Sequence, residues 1–273
     1  MKLDIFKKHN LHIIGNLNAT ETLVFAHGYG SEQSAWKFIT PEFEKRYRLV
    51  LFDMVGCGNS NLAAFTSEHY GSLHKYADDL IEICDEMKLQ QTHLIAHSVS
   101  SIIGTLAVLK RPNLFLTCVF IGASPRYLDD EGYIGGFTKQ QVISLLLEMA
   151  ENYTDWLDGF APVVIQAPNN PELVNEFATS LAKMRPGTSI EIARKIFFCD
   201  HRLDVAQLKL PVLLLHSRED VVVPYQVGEY LHQVIPNSRL HWISTPGHFP
   251  HMTNPGEIIK AITQHLSGIC QKR

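Results

Sequence analysis

The sequence is poor in the features that mark several large classes of protein. Its 273 residues include only five cysteines, Cys57, Cys84, Cys118, Cys199 and Cys270. They are scattered, odd in number and form no C-x-x-C pair, which argues against a disulfide framework or a zinc site and for reduced thiols. No apolar run approaches the roughly 20 residues that a membrane-spanning helix needs. The stretch Met1–His9 is charged throughout and lacks the apolar core of a signal peptide, so a cytoplasmic location is expected. Basic blocks are missing too: the formal net charge is -4, without the electrostatic footprint of a nucleic-acid binder. No Walker loop occurs, and Gly56-x-Gly58 is too short for a dinucleotide fingerprint. His248-x-x-His251 lacks the glutamate and helical setting of a zinc protease. No cofactor or metal is implied.

What the chain does hold is 45% hydrophobic and 19% charged residues, enough to bury a sizeable core in one large α/β domain. Thr22–Ala26, Arg48–Asp53, Leu116–Ile121, Pro211–His216 and Leu240–Ile243 read as strands, alternating with helical segments such as Leu73–Met87, Val227–Val234 and Pro255–Leu266. That alternation predicts βαβ units and a mostly parallel twisted sheet. At the N-terminus, Leu3–Phe6 and Leu11–Ile14 read as a hairpin turning at Lys8–Asn10. The rhythm breaks between Arg126 and His201, where only helical patches recur: Thr138–Leu157, Pro171–Met184 and Ser189–Phe198. The expected organisation is a core of residues 1–125 and 202–273, with residues 126–201 inserted as a helical lid.

The stretch Thr92–Gly104 is the centre of the chain. A short apolar run, Leu94–Ile95, reads as the end of a buried strand, and helical apolar spacing (Val99, Ile102, Ile103, Leu106) begins just after Ser98. Strand, turn and helix with a serine at the turn is the pattern of a nucleophile elbow, in which small residues two positions away on each side let the elements approach. Here Ala96 and Ser100 replace the usual glycines. Taken alone, Ser98 is equally well read as an ordinary helix N-cap.

A serine hydroxyl needs a base to take its proton, and that base is commonly a histidine oriented by a buried carboxylate. On a sheet of this kind the order is serine, acid, histidine, each beyond a strand's C-terminal end. Asp220 and His248 supply that order, and position favours them over Glu219 and His251. The N–H groups of Val99 and Tyr29 are the expected oxyanion-hole donors, each worth roughly 100–1000-fold in rate. Asp53 is better placed to organise the neighbouring glycine loop than to react.

Several segments carry a closer likeness: His27–Trp36, Asp53–Gly56, Ile121–Tyr127, Gly135-Gly136-Phe137, Met184-Arg185-Pro186 and Gly247–Met252. On these the chain resembles the α/β-hydrolase superfamily, and within it the group of the bacterial stress regulator RsbQ and the plant strigolactone and karrikin receptors. The resemblance implies an α/β-hydrolase fold with a four-helix, V-shaped lid over an apolar pocket, and slow hydrolysis of small esters or butenolide-type lactones. It places Tyr29, Tyr127, Phe137, Trp156, Phe160, Ile196 and Phe197 around the pocket. It also implies a second role, sensing a small apolar ligand and engaging a protein partner such as a PAS-domain phosphatase.

Overall fold

The inner strands of this chain can be covered only from both sides, because all or all but one of the residues in each are buried. In the computed structural model, which describes residues 4–270, they lie in one seven-stranded sheet. The strands are β1 (His12–Gly15), β2 (Thr22–Ala26), β3 (Arg48–Phe52), β4 (Thr92–His97), β5 (Phe115–Ile121), β6 (Val212–Ser217) and β7 (Ser238–Ile243). Their order is β1-β3-β2-β4-β5-β6-β7, parallel except for β1, which runs antiparallel to β3. Alternate residues serve opposite faces. Leu23 and Phe25 of β2 pack into one core with Trp36, Ile258 and Ile262, while Val24 and Ala26 join the other with Leu80, Ile102 and Leu106.

The helices are α1 (Ile5–His9), α2 (Thr40–Phe43), α3 (Leu73–Glu86), α4 (Val99–Lys110), α5 (Lys139–Glu151), α6 (Tyr153–Ile165), α7 (Pro171–Ala182), α8 (Pro186–Phe197), α9 (Arg202–Val205), α10 (Tyr225–Val234), α11 (Pro250–Thr253) and α12 (Pro255–Cys270). Among the described residues, no helix is long and apolar enough to cross a membrane. From β2 the chain moves outward to β3, then crosses back through α3 to β4 on the other side of β2. The order of strands therefore reverses between β2 and β4, and such a switch point opens a crevice at the C-terminal ends of the strands.

Residues between β5 and β6 form the helices α5 to α8, with α6 against α7 and α5 against both α6 and α8. Local signals start each one. Thr138 and Gln141 make a capping box for α5, the Asn152 side chain caps α6, and prolines open α7 and α8. The two ends of this helical stretch meet: the His201 N–H donates to the Pro125 carbonyl at 2.8 Å, and Arg126 pairs with Asp200 at 2.8 Å. Asp200 also pairs with Arg202, whose hydrogen bonds hold its carboxyl down to about 2.

Two expectations about local structure differ from the fold. Thr138–Leu157 is not one helix, because Asn152 (φ −148°, ψ 83°) ends α5 and begins α6. The N-terminal hairpin does not form either; Leu3 lies outside the described residues, and Ile5–His9 is helical. Asp4 caps that turn by accepting from the Phe6 N–H, and Asn10 closes it in the left-handed region at φ 45°. β1 pairs instead with the free edge of β3, so cap chemistry outweighs alternation in so short a run.

Candidate active site

At the end of β4 the chain turns so sharply into α4 that Ser98 sits at φ 55°, ψ −127°, a strained conformation for a residue with a side chain. Its side chain makes no capping hydrogen bond, which removes the N-cap reading. The turn demands close packing behind it. A Cβ on Gly104 would lie 2.3 Å from a Leu94 methyl, and Ala96 is fully buried in the same strand. Ser100 is buried as well, and its hydroxyl donates to the carbonyl of His27 across the switch point.

The Ser98 Oγ lies 2.8 Å from His248 Nε2, and His248 Nδ1 lies 2.7 Å from Asp220 Oδ2. All three side chains are buried. Asp220 follows β6, and its second oxygen, Oδ1, accepts from the N–H groups of Val222 (2.8 Å) and Val223 (3.1 Å). Only Oδ2 is left for the imidazole. That contact makes Nδ1 the protonated nitrogen and leaves Nε2 free to accept from the serine hydroxyl.

His248 is held through its backbone as well. Its N–H donates to the Val164 carbonyl at 2.8 Å, and its carbonyl accepts from His97 Nε2 at 2.8 Å. Val164 lies in the last turn of α6, where helix carbonyls lack an internal partner. Gly247 (φ 92°) permits the approach, since a Cβ there would lie 2.5 Å from the Ile165 carbonyl oxygen. Burial, with His251 and His248 close by, holds His97 well below the ordinary histidine value. His251 packs against Trp36 and His97 in tilted ring contacts at 4.6 and 4.5 Å and makes no hydrogen bond to Ser98, and the Glu219 side chain is exposed while its carbonyl accepts from the Gly247 N–H.

On the other side of the crevice, the loop after β2 presents Tyr29. The His27 ring brackets this loop: Nδ1 donates to the Gly28 carbonyl at 2.8 Å, and Nε2 accepts from the Met54 N–H at 3.0 Å. In a trans peptide the N–H points opposite to the carbonyl, so fixing the Gly28 carbonyl also fixes the Tyr29 N–H. Among the described residues no backbone carbonyl accepts from that N–H. Val99 is the first residue of α4, whose N–H has no partner four residues back within the helix. Asp53 stands behind the loop and accepts from the N–H groups of Gln33 and Asn59 and from Asn10 Nδ2, each at 2.9 Å.

A cavity of about 30 Å³ lies above Ser98. Tyr29, Tyr127, Phe160, Ile196 and Phe197 line it, all residues placed there by resemblance. Phe137 and Trp156 stand one layer back, Phe137 against Phe197 at 5.3 Å between ring centroids and Trp156 stacked on Phe160 at 4.9 Å. The sequence reading missed His97, Val164, Phe177, Val222 and Phe249. Three of these adjoin the proposed triad in sequence (His97 before Ser98, Phe249 after His248, Val222 two after Asp220), which is a usable signal. Val164 and Phe177 carry none, because the packing of α6 and α7 over the sheet brings them in. The Tyr29 hydroxyl also leaves the cavity and meets Ser189 Oγ on α8 at 2.5 Å.

Comparison with known proteins adds a family. The model of the alpha/beta hydrolase family matches residues 23–261. The chain is 37% identical over 259 residues to the karrikin insensitive 2 receptor CA of Petunia hybrida, covering 94% of this chain and 95% of that protein. It is 35% identical over 269 residues to the strigolactone esterase RMS3 of Pisum sativum, covering 98% and 100%. Among solved structures, a hydrolase from Oleispira antarctica superposes with a TM-score of 0.92 at 34% identity, covering 97% of this chain and 96% of that one.

Proposed function

The chain belongs to the α/β hydrolase family, and on that premise we propose that it is a serine hydrolase of small apolar carboxylic esters or lactones, butenolide-like ones among them. The observation that carries this reading is the continuous hydrogen-bonded series Ser98–His248–Asp220 at 2.8 and 2.7 Å beneath an apolar cavity. As Ser98 Oγ attacks the substrate carbonyl, its proton passes to His248 Nε2, and the Asp220 carboxylate stabilises the imidazolium so formed. The N–H groups of Tyr29 and Val99 receive the oxyanion. Collapse of the tetrahedral intermediate expels the alcohol, which takes the proton back from His248. The acyl-Ser98 that remains is hydrolysed by a water deprotonated by the same imidazole.

Residues 126–201 act as the lid in this reading. The cavity of about 30 Å³ is narrow, which favours compact acyl groups. The lid side of its wall is formed by α6, α7 and α8. Hydrolysis of p-nitrophenyl acetate by the wild type and by Ser98→Ala tests the proposal. The variant should lose at least about 10³-fold in kcat; equal rates would remove Ser98 from the chemistry.

A second reading is favoured by the identity with a karrikin receptor. In it the same pocket binds a small apolar ligand, and slow turnover serves a change of the lid that a protein partner, such as a PAS-domain phosphatase, detects. A pull-down with and without ligand, set beside the turnover number, separates the two. Fast multiple turnover without a ligand-dependent partner supports the plain enzyme.

A further inference from the structure

Ser100 lies outside the proposed triad and outside the wall of the cavity, yet it is fully buried and the shorter hydrogen bond of its hydroxyl goes to the His27 carbonyl. That bond joins two branches of the chain. β2 and β4 are paired as far as Ala26 and Ala96; beyond these the first chain enters the loop with Tyr29 and the second enters the elbow and α4. An oxyanion hole made by Tyr29 and Val99 takes one N–H from each branch. Both must aim at the same oxygen, and small errors in such placement are costly in rate.

We propose that Ser100 is a positioning residue of the oxyanion hole, its hydroxyl locking the loop after β2 to the first turn of α4. The proposal rests on the hydrolase reading above. Two consecutive peptides of the loop are then fixed by different groups. Ser100 holds the carbonyl of His27, and the His27 ring holds the carbonyl of Gly28, whose peptide carries the Tyr29 N–H. The loop is seated against the nucleophile itself, since a Cβ on Gly28 would lie 3.0 Å from the Ser98 Cβ and 2.5 Å from His97 Nδ1. The other neighbour of the Ser100 hydroxyl is Met54 Sδ at 3.4 Å, a thioether that cannot donate to His27 in its place.

Ser100→Ala removes the hydroxyl and little else. The test measures kcat and KM for p-nitrophenyl acetate, inhibition by a trifluoromethyl ketone, whose serine adduct places an oxyanion in the hole, and ester binding in a Ser98→Ala background. Expected is a fall of about 10-fold in kcat/KM, less than the loss of a whole donor. Ketone affinity should fall by the same factor, while ester binding to Ser98→Ala/Ser100→Ala stays within about 2-fold of Ser98→Ala. Unchanged kcat/KM and ketone affinity in folded Ser100→Ala would overturn the proposal. So would equal losses in ester and ketone binding, which mark a merely structural role. Should Ser100→Ala not fold, Ser100→Cys, with a weaker donor of similar shape, is read by the same criteria. A Ser98→Ala enzyme as fast as wild type would instead defeat the hydrolase reading on which this one rests.

Discussion

Asp220 faces His248 with one oxygen because two backbone N–H groups occupy the other. The side chain is thereby oriented before the histidine arrives, and a carboxamide would keep the shape while changing the chemistry. In Asp220→Asn, either the amide N–H₂ faces Nδ1 and favours the wrong tautomer, or it turns toward the N–H groups of Val222 and Val223 and loses their hydrogen bonds. We expect kcat to fall roughly 10⁴-fold with little change in KM, read from steady-state kinetics on p-nitrophenyl acetate. A loss under about 10-fold would remove Asp220 from its assigned role. Ser98 shows the same economy at the backbone. Its left-handed φ of 55° costs on the order of 1–3 kcal/mol, sustained by a buried elbow in which Gly104 and Ala96 leave no slack.

Among the elements, α6, α7 and α8 wall the cavity, and α6 supplies, through Val164, part of the setting of His248. Phe177 of α7 lies over the site, 4.6 Å from Phe249 between ring centroids, and its ring tip approaches Gly30. Phe177→Leu shortens that wall. The ratio of kcat/KM for p-nitrophenyl butyrate to that for the acetate should rise about 10-fold or more, since each methylene accommodated is worth roughly 1–3 kcal/mol. An unchanged ratio would mean that α7 does not limit acyl length. The salt bridges Glu32–Lys183 (2.6 Å) and Lys37–Glu176 (2.7 Å) tie α7 and the turn after it to the chain after β2, beside the loop that carries Tyr29. Most elements were legible in the sequence because their signals are local: continuous apolar runs for the inner strands, amphipathic spacing for α3, a proline at the start of α7. The division at Asn152 and the helical turn at Ile5–His9 were not read. Each depends on a single cap, and hydrophobic pattern reports burial without regard to caps.

At the level of the whole molecule, burying histidines (His216 in β6, His251 in α11) makes stability depend on pH. Burial pushes His216 down to about 4 and His251 down to about 3, while both return to about 6.5 in the unfolded chain. Below pH 6.5 the unfolded state therefore binds protons that the folded state refuses, and unfolding becomes easier as the pH falls. The loss continues to about pH 4 for His216 and to about pH 3 for His251. Each such group contributes at most about 1.4 kcal/mol per pH unit inside its window. Denaturant midpoints at pH 7.5, 6 and 5 should fall in that order, and His251→Gln should flatten the slope if it folds as the wild type does. A flat wild-type profile across that range would show these imidazoles not to be held neutral.

The inner strands, most of the helices and the order of serine, acid and histidine were determined by the sequence itself, since local hydrophobic pattern and turn chemistry need only neighbours to act. The likeness to receptor and hydrolase relatives was written in short contiguous segments for the same reason. The tertiary structure alone decided which residues meet. Val164 and Phe177 enter the cavity, Phe137 and Trp156 stand behind its wall, and Ser100 reaches His27, because these contacts join residues far apart along the chain. Such contacts depend on how helices settle on a twisted sheet, and no local stretch of sequence specifies that packing.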